Sequence, residues 1–246
     1  MTAVLVIAAS DSSGGAGLTR DVSTLCRFAT PAVCALTAVT VQSNREVRAV
    51  HPLPPELVRE QIAAALLTSR IGAIKIGVLA TADVALAVAA TLPPREKVPM
   101  VLDPVLRSSS GGVLLDESGR RVLVAELLPR ATLVTPNIEE IAALLGAAPA
   151  RSEDEMAQQG RALLAMGPAA VLVKGGHGEG EEAVDLLLRA GEPVRRLAAP
   201  RSRASLRGTG CALASGVAAG LAARLGLEDA CARAKQHLVE LFEQAR

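Results

Sequence analysis

Short, continuous apolar runs rich in Val and Ile recur along this chain, and a stretch with helical spacing follows almost every one. The runs are Val4–Ala8, Ala32–Val41, Ala73–Val78, Pro99–Asp103, Ala131–Val134 and Ala169–Val173. An apolar run without polar alternation suits a strand buried on both faces, as in a parallel sheet covered by helices. The helical stretches are Leu18–Phe28, Glu56–Leu67 after Pro54-Pro55, Asp83–Leu92, Leu115–Leu128, a helix starting at Thr135-Pro136-Asn137, and Ser152–Met166. Ser152 with Glu155 three residues on has the pattern of a capping box. Strands alternating with helices predict an α/β fold around a mostly parallel sheet.

Three features depart from strict alternation. Val47–Val50 reads as a short extra strand, and Ala183–Leu188 with Val194–Leu197 reads as a hairpin around Gly191, with Asp185 inside its first arm. Two helices, Thr209–Leu225 and Glu228–Ala245, close the chain. No linker, repeat or low-complexity segment divides residues 1–246, so one domain is expected.

Composition removes several classes of function. Phe28 and Phe242 are the only aromatic rings of the Phe, Tyr and Trp type, so the core is built from Ala, Val and Leu. Modules that stack nucleic-acid bases need exposed rings, and a net charge of +1 gives no field to attract a polyanion. A small-molecule ligand is expected, and no nucleic acid. Cys26, Cys34, Cys211 and Cys231 form no CxxC pair, and their spacing suits neither zinc nor a disulfide framework. Met1–Ala9 lacks a basic segment and is too short to span a membrane, which favours a soluble, cytoplasmic protein.

The polar residues gather where strands end. Val4–Ala8 runs into Ser10-Asp11-Ser12-Ser13-Gly14-Gly15-Ala16-Gly17, and Ala32–Val41 into Gln42-Ser43-Asn44. Ligands bind outside the carboxyl ends of strands in open α/β sheets. The glycine loop does not fit GxGxxG and no acidic residue ends a second strand, which argues against a dinucleotide fold. Asp103 ends a strand, where it can serve a metal or a reacting hydroxyl, or cap the next turn. Glu140 lies in a first helical turn, a position the helix dipole favours for any carboxylate. Lys174 ends another strand before Gly175-Gly176-His177, either as a functional cation or a solvated charge; His177 has no evident partner for a metal site.

Arg207-Gly208-Thr209-Gly210-Cys211 opens a run of small and apolar residues. Backbone N–H groups at a loop-to-helix junction are unpaired, and glycines let an anion approach them closely. Cys211 falls in the first helical turn, where a thiol is expected to ionise more readily than usual. The stretch reads as a phosphoryl-transfer centre with its own base, or as a glycine turn before a buried cysteine.

Seven blocks occur in order: Ile7 to Gly17, Thr40-Val41-Gln42-Ser43, Lys75-Ile76-Gly77-Val78, Leu102-Asp103-Pro104-Val105, Thr135-Pro136-Asn137, Lys174-Gly175-Gly176-His177 and Gly208-Thr209-Gly210-Cys211. Together they resemble the hydroxymethylpyrimidine/phosphomethylpyrimidine kinases of thiamine biosynthesis, within the ribokinase superfamily. The resemblance implies a three-layer α/β/α sandwich, ATP and Mg2+ as cofactors, and phosphorylation of 4-amino-5-hydroxymethyl-2-methylpyrimidine and then of its monophosphate. It implies that Gly17, Asp21, Gln42, Val78 and Val105 line the pyrimidine pocket. It makes Cys211 the base, Gly208, Thr209 and Gly210 the anion hole, and Lys174 a phosphate-facing cation. It assigns the nucleotide to Lys174, Thr209 and Asp185, the metal to Glu140 with Asp103, and a homodimer as the assembly; Arg207, beside the anion hole, is a further candidate for a nucleotide phosphate contact.

The chain departs from the family pattern at Ala9, where glycine is usual, at Val78, where methionine is common, and at Ser205-Leu206-Arg207, where Asn-Thr-His is usual. These changes bear on the choice of substrate. A pyridoxal or pyridoxine kinase is the nearest alternative, and a binding protein that has lost catalysis is a further one.

Overall fold

The computed structural model describes residues 2–176, 180–202, 204 and 206–245; His177 lies outside them. Its strands are β1 (Ala3–Asp11), β2 (Ala32–Gln42), β3 (Val47–Pro52), β4 (Ile71–Ile76), β5 (Met100–Leu102), β6 (Leu133–Val134), β7 (Ala170–Lys174), β8 (Glu182–Arg189) and β9 (Arg195–Pro200). They join one sheet in the order β3-β2-β1-β4-β5-β6-β7-β8-β9. The six strands from β2 through β7 in that order pair in parallel. Only β3 at one edge and the β8–β9 hairpin at the other run antiparallel. Gly191 turns that hairpin with φ of 73°.

Strand periodicity sends alternate residues of β1 into two separate cores. Leu5 and Ile7 join a core under α2 (Pro55–Thr68), α3 (Ala82–Thr91), α4 (Glu117–Val122), α5 (Ile138–Leu145) and α6 (Glu153–Leu164). Val4, Val6 and Ala8 join the opposite core, under α1 (Gly17–Arg27), α7 (Thr209–Ala222) and α8 (Leu227–Gln244). The result is the expected three-layer sandwich. Where β1 and β4 lie side by side the connections leave in opposite directions, which opens a crevice at the carboxyl end of the sheet. Among the described residues no helix is long and apolar enough to cross a membrane.

Two local expectations need correction. Leu115–Leu128 is not one helix: α4 gives way to a π turn at Leu123–Leu127 and a 3₁₀ turn at Leu128–Arg130. Pro129, which cannot donate to the preceding turn, stands in that last piece. Only half of the Ser152–Glu155 box forms, because the Glu155 carboxylate accepts from Arg151 N at 2.7 Å instead. The complete box is at α5, where Asn137 and Glu140 accept from each other's backbone N–H.

Helix α7 is almost wholly buried and packs on α8 through glycines. A Cβ on Gly216 would lie 3.0 Å from Ala234 Cβ, and one on Gly220 would lie 2.7 Å from Ala230 Cβ. The two backbones therefore approach with almost nothing between them.

Lys75 is the largest fully buried side chain. Its ammonium donates to Asp21 Oδ2 at 2.9 Å, and the Ser215 hydroxyl donates to Asp21 Oδ1 at 2.7 Å. One carboxylate thereby joins the sheet to α1 and α7. Burial alone would lower the proton affinity of Lys75, but the Asp21 carboxylate outweighs it and holds the ammonium above the ordinary lysine range. Removing one member of a buried pair leaves an uncompensated charge, at a cost of about 3–5 kcal/mol. Urea unfolding of Lys75→Met should show a loss of that order, and adding Asp21→Asn should recover most of it. Equal stability of Lys75→Met and the parent would contradict this account of the pair.

Candidate active site

The crevice is floored by the ends of β1, β4, β5 and β7 and closed by the start of α7. Gly208 precedes α7 with φ of 72°, a left-handed conformation that favours glycine. A Cβ there would also collide with the Gly15 carbonyl oxygen, so the turn rests directly on the glycine loop. No side chain caps α7, and its first backbone bond runs from Ala212 N to Gly208 O at 2.9 Å. The N–H groups of Thr209, Gly210 and Cys211 come before that bond, at the positive end of a fourteen-residue helix.

Gly210 is the meeting point with the opposite wall. A Cβ on it would lie 3.1 Å from Lys174 Nζ and 3.7 Å from Asp103 Oδ2. Lys174 donates to Asp103 Oδ1 at 2.9 Å and stands 3.8 Å from Glu140 Oε2. Thr135 Oγ1 donates to the same Asp103 oxygen at 3.1 Å. Burial would lower the Lys174 ammonium, yet Asp103 and Glu140 hold it above the ordinary range. The carboxyl of Glu140 is pushed up to about 7 by burial, with Lys174 opposing and Asp103 adding to the rise. Two buried carboxylates thus share one cation. Among the described residues no cluster of three or more His, Cys, Asp or Glu side chains gathers to hold a metal.

The expectation of a readily ionised Cys211 is corrected. Its partly exposed thiol is pushed up to about 11, chiefly by desolvation. Lys75 pulls the other way, Asp21 and Asp103 push further up, and an N–H from Gly17 again favours the thiolate. The first helical turn does attract negative charge, but two carboxylates and a low-dielectric setting outweigh it.

On the acceptor side, Ala9, Ala38, Val78, Ala80 and Leu114 form a small apolar cluster with Val105 packed against it. The expected pocket residues Val78 and Val105 therefore share a wall with Ala9, and both Ala9 and Val78 are departures from the family pattern. Gln42 ends β2 beside it, half-buried, with Ser12 Oγ donating to its carbonyl at 3.0 Å and accepting from its N–H at 2.9 Å. Gly17 has φ of 57° and no room for a Cβ beneath the Ala9 carbonyl.

Three residues expected at ligand contacts make internal ion pairs. Asp21 has no exposed surface and serves the Lys75 pair under the crevice, not the pocket wall. Asp185 is buried, accepts from Gly175 N at 3.1 Å and pairs with Lys235 at 2.7 Å, which fixes the chain just after Lys174. The Arg207 side chain pairs with Asp11 at 3.1 Å. Lys75, Ser215, Thr135 and Asp11 were not singled out as individual site residues. A lysine interrupting the otherwise apolar run Ala73–Val78 is the one signal that points to a buried partner.

The family model described as phosphomethylpyrimidine kinase matches residues 11–245. The hydroxymethylpyrimidine/phosphomethylpyrimidine kinase of Escherichia coli K12 is 40% identical over 243 residues, covering 98% of this chain and 91% of that one. The crystal structure of phosphomethylpyrimidine kinase from Clostridium difficile 630 superposes with a TM-score of 0.84 at 32% identity, over 98% of this chain and 99% of the other. A Staphylococcus aureus pyridoxal kinase in complex with AMP-PCP and pyridoxal gives 0.85 at 29% identity, over 96% and 85% of the two chains.

The Cys211 environment can be read directly by alkylation. Cys26 and Cys34 are exposed and are replaced by serine, while Cys231 is buried with its thiol pushed up to about 12. In that background the rate of Cys211 alkylation by iodoacetamide should rise about tenfold per pH unit from about pH 7 to about pH 9.5, because the thiolate is the nucleophile. A plateau below pH 9 would show a thiol that ionises near neutrality.

Proposed function

This chain belongs to the phosphomethylpyrimidine kinase family, and from that premise we propose how it works. As a single kinase domain, it transfers the γ-phosphoryl group of ATP to the hydroxymethyl oxygen of 4-amino-5-hydroxymethyl-2-methylpyrimidine. It then phosphorylates the resulting monophosphate, in the thiamine biosynthesis of the cytoplasm. The resemblance carries a homodimer as the assembly, which sedimentation would test.

The observation that supports this reading most is the meeting at Gly210 of an uncapped helix start with the Lys174 ammonium. Phosphoryl transfer needs little covalent help from a protein; it needs donors and cations fixed around the moving charge. The amides of Thr209, Gly210 and Cys211 take the phosphoryl oxygens, and Lys174 supplies a positive charge that Asp103 keeps in place. Gln42 offers an amide donor and acceptor to the aminopyrimidine edge, while Val78 and Val105 cover the ring. Asp103 and Glu140 are suited to hold Mg2+, which takes one or two carboxylates and completes its shell with phosphate oxygens and water. The fit rests on their placement: two buried carboxylates meet a single ammonium, with Lys174 2.9 Å from Asp103 and 3.8 Å from Glu140. When bound, the ion neutralises charge on the transferring phosphates.

Cys211 accepts the hydroxyl proton in the first step, and only its thiolate form can do so. The second step differs, because the attacking phosphate oxygen is already ionised at neutral pH, with a second pKa of about 6. The base is therefore needed for one step and not the other.

The deciding assay measures ATP consumption with the pyrimidine alcohol, its monophosphate and pyridoxal offered separately. Turnover on both pyrimidines is the expected outcome; turnover on pyridoxal alone would replace this reading with the vitamin B6 activity of the S. aureus neighbour. Cys211→Ala should cut turnover of the alcohol by roughly 100-fold or more, the usual loss for a general base. Its effect on the monophosphate should stay within about tenfold, since no proton need be removed there. Equal losses on both acceptors would rule out the base assignment.

A further inference from the structure

Arg207 stands immediately before the anion turn, where the family pattern usually has histidine, and its side chain is only 17% exposed. Its guanidinium reaches two separate segments of the chain. Nη2 donates to Asp11 Oδ2 at 3.1 Å, at the end of β1. Nη1 donates to Ser13 Oγ at 2.7 Å in the glycine loop. The same nitrogen donates to Asn44 Oδ1 at 3.0 Å and the Ser43 carbonyl at 3.2 Å, in the turn after β2. Gly15 makes room for it, since a Cβ there would lie 3.1 Å from Nη1.

These contacts form a chain of positioning. Asp11 Oδ1 also accepts from Ser13 N at 2.9 Å and from Ser13 Oγ at 2.7 Å, so the arginine's two partners hold each other. Between them sits Ser12, whose hydroxyl pins the Gln42 backbone from both sides. On the arginine's own side, the next residue is Gly208, seated against the Gly15 carbonyl. The anion turn and the segment bearing Gln42 are thus linked through one planar cation. Charge-assisted bonds of this kind are roughly twice as strong as neutral ones. A lysine, with a single compact ammonium, cannot span the same acceptors.

We infer that Arg207 is a positioning residue for the acceptor substrate: it fixes the distance between the turn that receives the phosphoryl group and the Gln42 end of β2 that holds the pyrimidine ring. This inference rests on the kinase reading for the identity of the acceptor, but its mechanical part does not. A hydroxyl that must meet a phosphoryl group in line is sensitive to an error of about 1 Å in the relative placement of two such segments. None of these contacts involves Lys174, Asp103 or Glu140, so the link leaves the opposite wall of the crevice untouched.

The test has two arms, with Arg207→Gln as the principal variant. Arg207→Lys and Asp11→Asn serve as the second and third, should the first fail to fold by thermal melting. In the ligand-free protein, amide hydrogen exchange over residues 11–17 and 42–46 should quicken together by about tenfold or more in each folded variant. In steady-state kinetics the acceptor KM should rise about tenfold or more while the ATP KM stays within about twofold. The Arg207→Gln/Asp11→Asn double variant should be no worse than the more affected single one. Unchanged exchange in both segments overturns the link whatever the substrate is. Equal rises in the two KM values overturn its assignment to the acceptor. A parent protein that phosphorylates none of the three acceptors defeats the kinase reading alone, and the exchange arm still decides the link.

Discussion

One carboxylate under the crevice carries much of the architecture above it. Asp21 binds the Lys75 ammonium on one oxygen and the Ser215 hydroxyl on the other, with no exposed surface on either charged partner. Ser215 lies one helical turn beyond Cys211 on α7, so the bond to the partner of a buried lysine also helps set the depth of the helix that carries Cys211. A buried ion pair is weak evidence for added stability when compared with an apolar replacement, but once present it tolerates little displacement. The sheet, α1 and α7 are held in register by groups that cannot separate without exposing a charge.

Above that layer two buried carboxylates meet one ammonium. Lys174 faces both Asp103 and Glu140, and burial, with Asp103 adding to it, raises the proton affinity of Glu140. Burial also raises the Cys211 thiol, with Asp21 and Asp103 pushing the same way against Lys75. An anion at the α7 amides meets donors already aimed at it.

The sheet is legible in the sequence because a strand buried on both faces is mostly apolar, and β1, β4 and β7 are, with their polar residues confined to the strand ends and to Lys75. The anion turn is legible for a related reason: Gly208 has a left-handed backbone that favours glycine, and a Cβ at Gly210 would crowd Lys174. The π turn after α4 is not, since Leu123–Leu127 keeps a helical pattern of leucines while its hydrogen bonds slip by one residue. The roles of Asp21 and Asp185 are hidden for another reason. Both are polar residues near the right blocks, yet their partners Lys75 and Lys235 lie 54 and 50 positions away, and no local spacing reports a pairing made by the fold. Arg207 is the extreme case, with acceptors up to 196 positions distant.

The glycine seam between α7 and α8 has a mechanical consequence. Gly216 and Gly220 let the two helices approach closely at Ala234 and Ala230, so little side chain lies between them there to absorb a displacement. Helix α7 then behaves as a stiff lever whose fulcrum is the seam and whose short arm ends at Cys211. A methyl group added at Gly220, two and a half turns from the thiol, would not be taken up locally but transmitted along the axis. The tolerance of this enzyme to sequence drift is consequently set as much by a strip of small residues far from any ligand as by the residues that would touch one.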